Sequence, residues 1–413
     1  MANLKYWLWL TERKGLAGQA LWNVLEHFGS PERAYFADGE EYRLVPGLSG
    51  AAVRSLSDKS MACADKILGD CDRLSIRIMT IQDAIYPERL RAIHQPPAVL
   101  YWKGREVAFD EEAAVAVVGT RDATPYGIHM AGKLALDLTR SGALVISGMA
   151  QGIDSAAVRA ALKAGGPVVS VLGNGLDVVY PKYHRGLYQD VAAVGTLISE
   201  YPPGTEPRGW NFPARNRILS GLSVGVVVVE SRRTGGSLLT AGHALEQDRE
   251  VFAVPGPADG VDSEGTNRLI QEGAAKLVMN AEDIVCELID RFPQKLYRPG
   301  PMGEEIREQR LEHHDENIIH PPVKEDKPPE KEVDNPPALE YIDWKDYKTK
   351  LTDDQRDVLL ALEEKTLVAD DLVERTQIPA RRVLAALTIL QIQGLVAEES
   401  GKRFRAVVRL KME

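Results

Sequence analysis

Between Ala113 and Val285 the chain repeats one pattern: a short apolar strand, a glycine-rich turn, then a helical stretch. The strand ends read AVAVVG-TR (Ala114 to Arg121), LVISG-MAQGID (Leu144 to Asp154), VVSVLG-NGLD (Val168 to Asp177) and VGVVVVE-SRRTGGS (Val224 to Ser237). Strands that are apolar throughout need cover on both faces, and helices between them make the connections parallel. The pattern therefore predicts an α/β fold, a doubly wound and mostly parallel sheet. Glycine at successive strand ends lets main-chain N–H groups and helix N-termini approach a ligand closely, and such places favour anions. A phosphate-bearing ligand is the first expectation.

The 413 residues allow about two to four domains with a sizeable core. Apolar content of 44% and charged content of 27% fit a globular chain. The early apolar run from Tyr6 to Leu10 is too short for a signal peptide or a membrane span. Cys63, Cys71 and Cys286 form no CxxC pair, which reads as reduced thiols in a cytoplasm. A net charge of -10 argues against coating nucleic acid non-specifically. The acids are unevenly placed, so a local basic groove stays open.

Four segments are expected. Residues 1–74 read as short helices, a small domain of SAM or helix-hairpin-helix type, with a hairpin at Leu44 to Val53 (LVPGLSGAAV). Its glycine turn suits either packing or main-chain contact with a DNA phosphate. Residues 75–291 form the α/β domain, entered through a partly extended stretch from Ser75 to Lys103. Residues 292–346 are rich in proline and charge and read as a disordered linker. Its His313-His314 pair lacks partners at metal-ligand spacing. Residues 347–413 read as three helices and a hairpin turning at Ser400-Gly401, the order of a winged helix. Arg381 and Arg382 fall where a recognition helix meets DNA, and Lys402, Arg403 and Arg405 fall in the wing. Winged helices also serve as protein-docking or dimer modules.

The nature of the phosphate ligand is narrowed by exclusion. The first turn, Gly119 to Gly127 (GTRDATPYG), is not GxGxxG, and the second strand ends in Ser147 rather than a ribose-binding acid. Neither GxxxxGK[ST] nor GxSxG occurs. His243 reads as a helix-packing residue. The loops instead carry cations: Arg121, Lys182 after Tyr180-Pro181, then Arg208, Arg215 and Arg217 beside Trp210 and Phe212, then Arg232 and Arg233. Interleaved cations and aromatics suit a nucleic-acid strand, cations on phosphates and rings under bases. The competing reading buries Trp210 and Phe212 in the core and pairs the arginines with carboxylates.

At these residues the chain resembles the bacterial DNA-processing protein A (DprA) family. The motifs are VVGTR (Val117 to Arg121), SGMAQGID (Ser147 to Asp154), VLGNGLDVVYP (Val171 to Pro181), SEYPPG (Ser199 to Gly204) and FPARNRILSGLS (Phe212 to Ser223). GGSLLTA (Gly235 to Ala241), VFAVPG (Val251 to Gly256) and SEGTNRLIQEGA (Ser263 to Ala274) complete the set. The resemblance covers roughly Leu74 to Val285. It implies an extended Rossmann-like domain that binds single-stranded DNA, forms a homodimer, protects incoming strands and helps load the recombinase RecA during natural transformation. No enzymatic activity, cofactor, metal or membrane partner is implied.

The resemblance carries Arg121 over as a phosphate-binding residue, Lys182 as a cation after the YP motif, and Arg215 and Arg217 from the FPxRNR motif. Gly119, Thr120, Ser147, Gly148, Gly152, Asn216, Gly236, Ser237 and Thr240 carry over as pocket-forming or main-chain-donor positions. Leu269 and Ile270 are the dimer candidates. Two departures stand out: Val158 where the family often has His near the pocket, and Gly235-Gly236-Ser237 where it usually has SGS.

Two other functions are weighed. A nucleotide-processing enzyme of phosphoribohydrolase type would need PGGxGT with a close Glu, which TGGSLLT lacks; Glu230 and Asp154 remain conceivable acids, each with a structural alternative. A transcription factor would use the winged helix on duplex DNA.

Overall fold

A computed structural model describes residues 2–297, 340–343, 352–362, 366–392, 395–399 and 403–411. The chain divides into two compact units, Met1–Ile319 and His320–Glu413.

The first unit opens with six short helices, α1 (Ala2–Thr11) to α6 (Ala62–Arg73). The predicted hairpin lies between α4 (Gly39–Arg43) and α5 (Gly50–Ser57). Gly47 turns the chain there at φ 76, and the Ser49 hydroxyl caps α5 by accepting from Ala52 N. Antiparallel strands β1 (Arg77–Thr80) and β2 (Val99–Gly104) follow, with α7 (Glu88–Arg91) between them. Then come β3 (Ala114–Val118), α8 (Pro125–Arg140), β4 (Leu144–Ser147), α9 (Ile153–Lys163) and β5 (Val168–Leu172). The alternation continues through α10 (Arg185–Val194), β6 (Thr196–Ser199), α11 (Asn211–Leu222), β7 (Gly225–Val228) and α12 (Gly236–Glu246). It closes with β8 (Glu250–Ala253), α13 (Glu264–Gln271), β9 (Lys276–Leu277) and α14 (Ala281–Leu288).

These strands form one nine-stranded sheet, ordered β1-β2-β6-β5-β4-β3-β7-β8-β9 among the described residues. β2 runs antiparallel to β6, and every pair from β6 to β9 is parallel. The sequence of β3 shows why both faces must be covered. Val115 and Val117 enter one buried cluster while Ala114, Ala116 and Val118 enter the other. Side chains alternate across a strand, so an unbroken apolar run feeds two cores. Each fully buried valine contributes about 1.5–3 kcal/mol. The first core includes α8, α9, α10 and α14, and the second includes α7, α11 and α12. Trp7, Leu8, Trp9 and Leu10 of α1 join the first core. The helices of residues 2–73 therefore share their apolar interior with one face of the sheet.

In the second unit α15 (Asp353–Leu362), α16 (Ala369–Thr376) and α17 (Ala380–Ile392) pack with strands β11 (Leu367–Val368), β12 (Val396–Glu399) and β13 (Arg403–Ala406). Their core is Leu359, Leu372, Val383, Leu387, Leu390 and Phe404 with close neighbours. β12 and β13 pair antiparallel with Glu399 opposite Arg403, as a wing requires. The predicted hairpin tip, Ser400-Gly401, and Lys402 lie outside the described residues.

The linker expectation needs correcting at both ends. Phe292 to Tyr297 belongs to the first unit: Leu296 is buried and Lys295 Nζ reaches Glu112 at 2.6 Å. A buried leucine and a charge partner outweigh the local proline content. Near the other end, Glu340–Asp343 is strand β10, paired in parallel with β14 (Val408–Lys411). Composition alone does not reveal a partner strand 68 residues away, as the Glu340–Val408 register shows. The rest of that segment, His313 and His314 included, lies outside the described residues.

Candidate nucleic-acid interface

β3 and β7 are neighbours, but the connections after them leave in opposite directions, toward β4 and toward β8. Such a switch point opens a crevice at the carboxyl ends of the strands. Here it is a cleft of about 410 Å³ lined by Gly119, Thr120, Arg121 and Asp122 after β3 and by Arg232 and Thr234 to Ser237 after β7. Helix α11 supplies the adjoining wall.

The turn after β3 is built on close backbone approach. A Cβ on Gly119 would lie 2.5 Å from the Ile153 side chain, and one on Gly152 only 2.4 Å from Thr120 O. Gly152 also sits at φ 80, where side chains are strained. Thr120 N donates to Glu230 O at 2.8 Å, tying this turn to the end of β7. On the far side no side chain caps α12, whose N-cap is Gly235. Its first N–H groups therefore face the cleft without intrahelical partners, an arrangement that favours an anion.

Helix α11 explains which residues of the FPARNR motif reach the cleft. Phe212, Arg215, Asn216 and Leu219 line it, at helical spacings of three, four and seven. Arg217 is two positions from Arg215 and so points elsewhere, to Glu200 at 2.7 Å. These arginines were read from the sequence as loop residues; the structure corrects this, placing Arg215 and Arg217 on a buried-faced helix.

Arg215 is 5% exposed and lies at the cleft floor. Its Nη1 donates to the carbonyls of Gly148 and Val171, and Nη2 stands 3.7 Å from Asp154 Oδ2. Asp154 also accepts from Gly148 N at 3.1 Å and Ala150 N at 3.4 Å. Burial pushes the Asp154 carboxyl up, opposed by Arg215, and burial pulls the Arg215 guanidinium down. Gly148 is the slot for this guanidinium, since a Cβ there would lie 2.0 Å from Nη2. The pair thus holds the β4–α9 turn against α11.

Arg121 has a different setting. It is exposed, and its guanidinium carbon lies 4.9 Å from the Phe212 ring centroid. Arg232 and Arg233 are held by acids of the segment leading into α13, at 2.7 Å from Asp262 and 3.6 Å from Glu264. The carboxylate-pairing alternative thus describes Arg215, Arg217, Arg232 and Arg233, but among the described residues no carboxylate lies within 4 Å of Arg121, Lys182 or Arg208. The core alternative fails for Trp210, which is 70% exposed with Arg208 stacked 5.5 Å from its ring centre.

Of the predicted residues, the cleft brings together Gly119, Thr120, Arg121, Arg215, Asn216, Gly236, Ser237 and Thr240. Gly148 and Gly152 shape it from behind. Ser147 is buried and donates to Val117 O at 2.7 Å. Lys182 is exposed on the turn after β5. Val158 is fully buried in the first core rather than lining the cleft, so the position joins the packing of α9. Leu269 and Ile270 are partly buried against the second core of their own chain. Sequence reasoning missed Asp262 and Glu264, and nothing near Arg232 in the chain signals acids about 30 residues away. Glu230 is engaged by Thr124, accepting from its N at 2.8 Å and its hydroxyl at 2.6 Å, and so anchors the start of α8. Among the described residues, no cluster could hold a metal ion and no helix is long and apolar enough to cross a membrane.

A switch-point cleft with an uncapped helix N-terminus, cations and an aromatic wall places the chain among Rossmann-like proteins, with a site suited to a phosphate-bearing ligand. Residues 77–289 match the family model described as DNA recombination-mediator protein A, and residues 346–402 match the DprA winged helix domain. Protein Smf of Synechocystis is 30% identical over 98% of this chain and 100% of its own length. The DNA processing protein DprA of Bacillus subtilis is 39% identical over 60% of this chain and 83% of its own. The crystal structure of DNA processing protein A from Streptococcus pneumoniae aligns with TM-score 0.61 and 33% identity, covering 68% of this chain and 97% of its own. The chain belongs to the DNA recombination-mediator protein A (DprA) family.

Proposed function

We propose that this protein binds single-stranded DNA in the cleft between β3, β7 and α11. In this reading it is a non-enzymatic recombination mediator of the cytoplasm, which protects incoming strands and helps load RecA in natural transformation. The observation that carries it is Arg121 lying over Phe212 beside the uncapped N-terminus of α12. A cation and N–H donors suit phosphates, while an accessible ring beside them suits an unstacked base. Gly119, Thr120, Asn216, Gly236, Ser237 and Thr240 line the phosphate path within the cleft, and Arg215 holds its floor from below. Lys182 stands beyond the cleft on the turn after β5, and Arg217 is turned away to Glu200. Homodimerisation would use the α13 face with Leu269 and Ile270.

Fluorescence anisotropy with labelled oligo-dT and a matched duplex, across a salt series, tests this reading. Salt-sensitive binding to the single strand with little for the duplex is expected. Equal or absent binding to both would shift the assignment to a small nucleotide. The engagement of Glu230 by Thr124 and of Asp154 by Arg215 weighs against the phosphoribohydrolase-like alternative, whose acids would need to face substrate.

A further inference from the structure

The two flanks of the cleft differ. Toward α13, Arg232 and Arg233 are each engaged by a carboxylate, Asp262 and Glu264. A phosphate arriving there must compete with an anion already in place. Toward β5 and β6 three aromatic side chains face solvent: Trp210 at 70%, Tyr183 at 65% and Tyr180 at 40% exposure. Trp7, Trp9 and Trp102, by contrast, are buried. Cations stand beside the exposed rings. Arg208 stacks on Trp210, and Lys182 and Arg185 are exposed on the Tyr183 turn. Among the described residues none of the three has a carboxylate within 4 Å. Glu206, two residues before Arg208, is exposed, and its carboxylate lies more than 4 Å from the Arg208 guanidinium.

This surface is continuous with the cleft. Tyr180 packs on the cleft residue Phe212 with ring centroids 5.3 Å apart, and Trp210 directly follows the cleft residue Gly209. Tyr183 donates its hydroxyl to Gln151 at 2.7 Å, next to the cleft residue Ala150. Two loops, after β5 and β6, thus present rings and cations as one extension of the site, and the loop after β4 meets them through Gln151. Exposed apolar rings grouped beside unneutralised cations match a nucleic-acid strand, whose bases stack on rings while its phosphates take the charges.

Resting on the single-stranded-DNA reading, we propose that the bound strand leaves the cleft over the β5–β6 flank. Its next bases stack on Trp210 and Tyr183, and Arg208 and Lys182 hold their phosphates. The α13 flank is disfavoured, because Asp262 and Glu264 compete there for its cations.

The test uses the full chain and labelled oligo-dT from about 4 to about 16 nucleotides, the usual range of such sites. Wild-type affinity rises with length beyond what the cleft alone holds, and the rise is accompanied by quenching of tryptophan fluorescence. In the Trp210→Ala/Tyr183→Ala variant the long oligomers bind about tenfold more weakly, as expected for lost stacking, while the shortest binds as in wild type. Trp210→Phe restores the length dependence but not the quench. Three results overturn the proposal: an unchanged length dependence in the double variant, an equal loss at every length, or a length dependence abolished instead by Arg233→Ala. Failure of the wild type to bind any single strand would instead remove the cleft reading beneath it.

Discussion

Arg121 of the cleft and Arg382 of the winged helix are both candidate nucleic-acid contacts in the sequence, and the fold sets them in opposite circumstances. Arg121 lies over the Phe212 ring, and among the described residues no carboxylate is within 4 Å of it. Arg382 is gripped by both oxygens of Asp354, its Nε and Nη2 each at 2.7 Å. A bidentate arginine–carboxylate pair fixes both charge and orientation. A phosphate must displace Asp354 to use Arg382, whereas it can meet Arg121 directly. The outward face of α17 also exposes Leu384 and Ile389. The lesson is that a cation's usefulness depends on which acid the fold sets beside it.

Mutations can sharpen this contrast. The largest effect is expected from breaking the buried pair under the cleft. Arg215→Met leaves Asp154 buried without its cation and lowers unfolding free energy by about 3–5 kcal/mol, measurable by denaturant titration. Next comes Arg121→Ala, which weakens single-strand binding for all sequences alike and reduces the salt slope by about one. Wild-type binding by this variant would sink the role given to the residue. Asp262→Asn acts with the opposite sign. Freeing Arg232 raises affinity at low salt by a few-fold at most, as for an exposed pair, and the gain fades at high salt. Smallest is Arg382→Ala, expected to change single-strand affinity and stability by about 0.5 kcal/mol or less. A loss there as large as that of Arg121→Ala would erase the distinction between the two surfaces.

Much of the fold was legible because its signals are local. Continuous runs such as Ala114 to Val118 announce strands buried on both faces, and Pro379 with the periodic residues after it announces α17. The turns Gly119-Thr120-Arg121 and Gly235-Gly236-Ser237 were equally readable, because at Gly119 and Gly235 a Cβ would meet a neighbouring side chain within 2.5 Å. The cation roles were not. Arg121, Arg217 and Arg232 look alike in the chain, yet one meets a ring, one Glu200 and one Asp262. The strand at Glu340–Asp343 was hidden for the same reason, since its partner lies at the far end of the chain.

The sequence by itself determined most element types, the glycine turns and the presence of a winged helix, and its unbroken apolar strands announced a sheet covered on both faces. Each of these is signalled by patterns a few residues long, although the strands then pair with distant segments. Tertiary structure alone decided the rest. It selected Phe212, Arg215 and Asn216 for the cleft and turned Arg217 away, buried Val158, and neutralised one flank while leaving the other open. Charge availability and ring exposure depend on which distant segments meet in space, and local composition carries no record of that meeting.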